Sequence, residues 1–297
     1  MESNTLVAPA PSRIADVLTL AKLRVNSLVV ATTAGGYWLG AAGLSDPYLL
    51  FNVCLGTALV AGGAAALNQV SERDVDRLMV RTRNRPVAVG RMSAMEGTAI
   101  ALALTALGTF VLWTGSGRLA ALVALATFVS YAFVYTPLKR VTSVSTIIGA
   151  VPGALPPIIG WAAARGTLFE PAPWALFLIG FFWQLPHILA IGWMYRDDYA
   201  RAGLPVLAAA DPTGALSGRQ ATLWAAALIP VSFLPSWPSI HLTGATFLIS
   251  AFVLGLAQLF MAFRFARDRS NAKARQLFYM TLLYLPVVWA LMVFDRQ

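Results

Sequence analysis

The sequence predicts an all-α protein that threads a membrane nine times, with its N-terminus on the cytoplasmic side. Two observations set the fold class and a third sets the orientation. Of 297 residues, 58% are hydrophobic and only 12% are charged, a composition that cannot clothe a water-soluble globule. The apolar residues also fall into successive stretches near the ~20 residues that one helical crossing needs. Within hydrocarbon the backbone must satisfy its own hydrogen bonds, so each stretch is a helix. Lastly, lysines and arginines collect in alternate connections.

In chain order the first stretch, 25–43, follows Lys22 and Arg24. It is too long for a signal-peptide core and lacks a small-residue cleavage site. The preceding tail contains Glu2 and Asp16, unlike an arginine-rich transit peptide. The second, 47–68, holds Cys54, the single cysteine, so no disulfide forms within the chain and no cysteine metal site is suggested. The third and fourth, 93–114 and 119–136, flank Arg118, and the fourth runs into YTPLKR at 135–140. The fifth, 143–163, contains PGALPPIIGW, and the sixth, 173–194, contains Pro186 and His187. The seventh and eighth, 220–237 and 243–263, are joined by a loop carrying His241, read as surface, and 275–294 completes the set.

With the N-terminus inside, the tail and the connections after crossings two, four, six and eight hold 19 of the 22 lysines and arginines. Arg118, Arg165 and Arg296 fall on the other side. That is the positive-inside pattern, and it favours an odd number of crossings. The sequence pI near 10.2 then needs no nucleic-acid partner, because basic loops orient the chain and attract anionic lipid of the bilayer.

Orientation does not account for the acids in NQVSERDVDRLMVRTRNRPVAVGR, residues 68–91, which mixes three acids with six arginines. Asn68, Glu72 and Asp76 recur every four residues and share an arc of about 80° on a helix, while Asp74 points away. Two carboxylates one turn apart repel unless a cation lies between them. Oxygen ligands beside an amide suit magnesium, which binds a few carboxylates together with substrate phosphates. Arg73 and Arg77 could pair with the acids. Arg81, Arg83 and Arg85 follow in RTRNRP, where Pro86 is expected to stop the helix, and their planar forks suit phosphate oxygens. A merely salt-bridged loop is the competing explanation.

A second acidic cluster, Asp197, Asp198 and Tyr199, leaves the sixth crossing. The same four-crossing offset relates the basic ends of crossings four (YTPLKR) and eight (FRFARDR, 263–269). Such weak internal symmetry often places a shared site between the halves.

These motifs resemble those of the UbiA superfamily of intramembrane prenyltransferases, and within it the branch that farnesylates haem, the haem O synthases. Asn68, Glu72 and Asp76 match the superfamily's first aspartate-rich motif, with Glu in the middle place. Met79 with RTRNRP, WQLPH at 183–187, Asp198-Tyr199, AGLPVL at 202–207, YTPLKR and PGALPPIIGW are similar to the haem branch. The resemblance runs from residue 19 onward. Departures are Lys22-Leu23-Arg24 where Lys-Pro-Arg is common, and Met194 where the second motif usually has an acid.

The resemblance implies a tail over 1–20 and a single nine-helix domain over 21–297 around a central intramembrane cavity. It implies transfer of a farnesyl group from farnesyl diphosphate to a vinyl group of haem B, with water addition. Magnesium is the implied cofactor, with Glu72, Asp76 and Asp198 as metal ligands through the diphosphate and Asn68 beside them. Asp197 is the alternative to Asp198. Arg81, Arg85, Lys139 and Arg140 are implied contacts of diphosphate or haem propionate, though the last two serve equally as orientation charges. Tyr135 and Tyr199 would line the cavity. His187 would face the haem, or else bond a carbonyl freed by Pro186. A haem A synthase or the assembly of a terminal oxidase would receive the product, and the chain would sit in the cytoplasmic membrane with its site facing the cytoplasm. A quinone-pathway prenyltransferase and a transporter are the rivals. WQLPH and RTRNRP argue against the first. The scarcity of ionisable groups within the crossings argues against the second.

Overall fold

The computed structural model describes residues 12–41 and 46–297, and among them no β-strand occurs. Residues 1–11 of the expected tail lie outside the described residues. The rest of it is not loose: α1 (Arg13–Leu20) is a helix capped by Ser12, whose hydroxyl accepts from the Ala15 N–H. Gln69 donates to the carbonyls of Thr19 and Leu20 at 3.0 and 2.8 Å. Arg91 grips Asp16 through Nε and a terminal nitrogen at 2.8–3.1 Å.

There follow α2 (Leu23–Gly40), α3 (Pro47–Ser71), the short α4 (Arg73–Leu78) and α5 (Ala94–Gly115). α6 (Arg118–Val129) passes through a π-helical turn (Ser130–Tyr135) into α7 (Thr136–Leu138). α8 (Ser145–Ala154) and α9 (Pro156–Arg165) form one rod interrupted at Leu155, where Pro156 and Pro157 have no N–H to give the preceding turn. α10 (Pro171–Met194), α11 (Arg196–Arg201), α12 (Leu207–Ala210), α13 (Ala215–Val231), α14 (Ala245–Arg267) and α15 (Asn271–Phe294) complete the chain.

Among the described residues seven rods are long and apolar enough to cross a membrane: α3, α5, α6 with α7, α8 with α9, α10, α14 and α15. The other two expected crossings are helices that fall short of that mark. α2 is diluted by Arg24, Asn26 and paired threonines. α13 spans 17 residues and begins at 215 rather than 220. It ends at Val231 rather than 237, where Pro235 enters a short 3-10 turn.

Helices adjacent in the chain pack side by side from α2 to α15, and α15 returns to α2, closing a ring. Two glycines set how tightly it closes. A Cβ on Gly36 would lie 2.2 Å from the Pro157 carbonyl oxygen, and one on Gly160 2.0 Å from that of Thr33. α2 and α9 therefore meet backbone to backbone and seal the bundle at the end away from α4. A methyl group at Gly160 forces those backbones apart, whereas Gly62 has room, its nearest neighbour being 3.5 Å away. Gly160→Ala is expected to cost about 1–3 kcal/mol and Gly62→Ala almost nothing, read as thermal unfolding of the detergent-solubilised protein.

Candidate active site

The ring encloses a cavity of about 300 Å³ whose mouth lies at the end bearing α4 and α11. Its walls are largely small or apolar, including Ala61, Ala64, Ala65, Gly149 and Gly153, and its rim is charged by Lys22 and Lys139.

The acids at that rim come from the junction of α3 and α4. The helix does not run on unbroken as the spacing suggests, because Glu72 (φ −92°, ψ 3°) interrupts it. The four-residue spacing survives through the hydrogen bonds from the Glu72 N–H to the Asn68 carbonyl (2.9 Å) and from the Asp76 N–H to that of Glu72 (2.8 Å). Asn68, Glu72 and Asp76 thus remain together and are only 3, 5 and 2% exposed. Asp74 faces out. The second helix stops at Met79, well before Pro86, so RTRNRP is a run of turns rather than the end of a helix.

Each carboxylate has a cation. Lys139 Nζ lies 2.9 Å from Glu72 Oε1. Arg85 donates to both oxygens of Asp76 at 2.8 and 2.7 Å and stands 4.0 Å from Glu72. Lys22 donates to Asn68 Oδ1 at 3.4 Å, and Asn68 in turn donates to the Thr136 hydroxyl at 3.2 Å. Burial pushes the Glu72 carboxyl up, but Lys139, then Lys22 and Arg85, outweigh it and hold the group below the usual range. Burial pulls Lys139 down, and Glu72 more than restores it. Lys22 has less to offset its burial: loss of solvent and the neighbouring Arg85 bring it down to about 7. Arg85 and Lys139 offset the two carboxylates, and Lys22, close to half-protonated near neutral pH, gains its charge when a polyanion binds beside it.

The second acidic cluster is resolved by exposure. Asp197 projects outward, its side chain 83% exposed. Asp198 turns inward, accepting from Arg201 at 2.6 Å and from the Arg81 N–H at 3.3 Å. Burial raises its carboxyl and those donors more than reverse the effect. The two motif loops meet here, with Met79 packed against Tyr199 and Leu204. Lys139 lies 5.9 Å above the Tyr199 ring.

Tyr135 and Tyr199 both line the cavity, as does Tyr131, whose ring is 5.3 Å from that of Tyr135. The π-helical turn presents this pair, and the Thr136 hydroxyl donates to the Tyr131 carbonyl at 2.9 Å. Other expected residues are placed elsewhere. Arg140 donates to the Ser71 carbonyl, capping the end of α3. The Arg81 side chain lies over the Tyr195 ring at 5.2 Å. His187 is stacked between Trp183 and Phe278, at 5.1 and 5.0 Å, with Nδ1 2.8 Å from the Thr281 hydroxyl, and does not line the cavity. The basic end of α14 does not mirror Lys139: Arg269 there bonds the carbonyls of Ala266 and Thr213.

The donors at the mouth suit magnesium in kind, being hard carboxylate oxygens one turn apart. Among the described residues no three acids, histidines or cysteines form a ready-made metal cluster. Glu72 and Asp76 would leave positions for a phosphate ligand to complete, and all three acids are paired with a cation here: Glu72 with Lys139, Asp76 with Arg85 and Asp198 with Arg201.

The model of the UbiA prenyltransferase family matches residues 28–285. The chain belongs to that family. It is 41% identical over 290 residues to a protoheme IX farnesyltransferase of Solibacter usitatus, an alignment covering 95% of this chain and 98% of the relative. A solved digeranylgeranylglyceryl phosphate synthase superposes with TM-score 0.77 at 14% identity, covering 95% of this chain and 98% of its own. A UbiA homolog from Archaeoglobus fulgidus bound to GPP and Mg2+ superposes with TM-score 0.63 at 16% identity, covering 93 and 99%. At those identities the likeness speaks for the all-helical fold alone. That the chain is a multi-pass membrane prenyltransferase rests on its family, its farnesyltransferase relatives and its apolar helices.

Lys22 is a site residue that sequence reasoning took as an orientation charge and as part of a departure from the family's Lys-Pro-Arg, without placing it at the site. Its backbone is left-handed (φ 49°), which swings the side chain from the start of α2 into the mouth. The usable signal was its place immediately before a crossing, on the side where the acids lie. For this prenyltransferase, Asp198→Ala, which removes the acceptor that positions the 79–85 turn, is expected to lower prenyl transfer by about 100-fold, whereas Asp197→Ala stays within about twofold. Initial rates in membranes at matched expression check both. Lys22→Met is expected to raise KM for the prenyl diphosphate by about tenfold, the loss of one charge-assisted hydrogen bond.

Proposed function

We propose that this chain transfers the farnesyl group of farnesyl diphosphate to a vinyl group of haem B, with addition of water, releasing haem O and diphosphate. The observation that carries this reading is the cation-rich mouth of Lys22, Arg85 and Lys139 set over an apolar cavity, in a chain about 40% identical to protoheme IX farnesyltransferases along nearly its whole length.

The three cations take the diphosphate and favour its departure by matching the charge it gains. Glu72 and Asp76 would hold magnesium, whose chemistry is to neutralise the same leaving group. Asn68 keeps Lys22 and the π-helical turn in register with the acids. The small and aromatic walls bind the farnesyl chain and keep water from its C1 until the vinyl group has attacked. Tyr131 and Tyr135 put aromatic faces beneath the cations, where positive charge develops on carbon. Asp198 fixes the 79–85 turn by accepting the Arg81 N–H, so its part is to join the two motif loops. A side cavity of about 150 Å³ between α8, α10 and α13 shares Thr146, Leu189 and Leu207 with the main one and marks the side from which a flat acceptor would approach the prenyl chain.

We read α2 and α13 as crossings as well, since each completes the ring between two neighbours, making nine. The distribution of lysine and arginine supports a cytoplasmic N-terminus and a site on the cytoplasmic face of the cell membrane. A haem A synthase or the assembly of a terminal oxidase is the expected destination of the product.

Membranes supplied with haem B, farnesyl diphosphate and magnesium are expected to yield a hydroxyethylfarnesyl haem by mass spectrometry. Chelation of magnesium is expected to abolish it, and Glu72→Gln to reduce it by about 100-fold. Prenylation of a quinone precursor in place of haem would overturn the acceptor assignment.

A further inference from the structure

The depth of the cavity is set by four rods that agree with one another. The innermost lining residue is Ala61 on α3, Thr127 on α6, Pro156 on α9 and Gln184 on α10. These lie eleven residues from Glu72, twelve from Lys139, eleven from Ser145 and eleven from Tyr195, respectively. At the helical rise per residue each interval is roughly 16–18 Å. One level therefore closes the cavity on the sides that these four rods form, while on α2 the lining already ends at Val29, about two turns nearer the mouth than the Gly36 contact with Pro157.

That floor is stiff. Pro156 sits next to Pro157, whose carbonyl is pressed against Gly36, and Gly160 presses α9 on α2 just beyond. The donors of the floor are turned away from the cavity. The Thr127 hydroxyl donates to the Val123 carbonyl at 2.8 Å, and Gln184 Nε2 donates to the carbonyls of Ala150 and Gly180 at 2.8 and 3.1 Å, with Gln184 Oε1 beside Gly153.

A prenyl chain with its C1 at the diphosphate must end where this floor begins. In extended zigzag at ordinary carbon–carbon bond lengths, geranyl, farnesyl and geranylgeranyl chains reach roughly 9, 14 and 19 Å. The first leaves nearly half of that depth empty, the second reaches the floor once its terminal methyl radius of about 2 Å is added, and the third overruns it. Resting on the prenyl-transfer reading above, we propose that Ala61, Thr127 and Pro156 form the ruler that selects a fifteen-carbon donor. Ala61 is the adjustable mark. It is only partly buried and it lines the cavity, so a larger side chain there occupies the space of the last isoprene unit.

The test is competition among geranyl, farnesyl and geranylgeranyl diphosphates for haem B in membranes carrying the full chain, with prenylated haems counted by mass spectrometry. Ala61→Phe is expected to raise the ratio of geranylated to farnesylated product by at least about tenfold, a fold-change in the range a filled apolar pocket gives. Thr127→Ala, which lowers the floor, is expected to raise the geranylgeranylated share by a few-fold. Retained geranyl transfer shows that Ala61→Phe has folded, and if that variant is inactive Thr127→Ala decides alone. Parental ratios in Thr127→Ala together with parental ratios or no product in Ala61→Phe would overturn the ruler. So would a parent that uses geranylgeranyl as readily as farnesyl. A parent that prenylates haem from none of the three overturns the function proposed above instead.

Discussion

The buried pair of Glu72 and Lys139 is the contact on which the rest of the site depends. It joins the break between α3 and α4 to the end of α7, two segments far apart in the chain. Both groups are largely withdrawn from solvent, so separating them would leave a buried charge unmatched, at a cost of about 3–5 kcal/mol. With the pair made, Asn68 is held beside Thr136, and Thr136 reaches back to the Tyr131 carbonyl. One chain of polar contacts thus aligns the acids, Lys22 and the two cavity tyrosines. It also shows how a stretch with so many charges stays beside hydrocarbon, since each carboxylate is already matched.

The two motif loops form a lid over this pair by apolar contact. Met79, Tyr199 and Leu204 are buried against one another, and the Arg81 N–H to Asp198 bond fastens one loop to the other. Polar groups give the lid its register while packing gives it cohesion. The N-terminal helix supports it from outside through Asp16 and Arg91, at the far end of the same run of turns.

Much of this was legible from residue spacing, and the failures have definite causes. Asn68, Glu72 and Asp76 could be grouped because two i to i+4 hydrogen bonds persist across the interruption at Glu72, although the continuous helix assumed for them does not. Asp197 and Asp198 could not be separated, because which one faces inward depends on the backbone turn at Tyr195, a feature of tertiary packing. His187 drew notice as a polar group within a crossing, but stacking and the Thr281 hydroxyl satisfy it away from the cavity. The π-helical turn has no sequence signature, so Tyr131 went unnoticed beside Tyr135. The shortened α13 follows from Pro235, which was visible, whereas its earlier start at Ala215 was masked by Arg219 and Gln220.

Lys22 shows what the arrangement demands of the backbone. A left-handed conformation at a residue with a Cβ is held against a strain of about 1–2 kcal/mol, and glycine is the residue that would relieve it. Glycine would also remove the charge from the mouth. Stability and function therefore pull in opposite directions at this one position. A search for more robust variants of this enzyme that scored folding alone would be drawn to the substitution that disarms it.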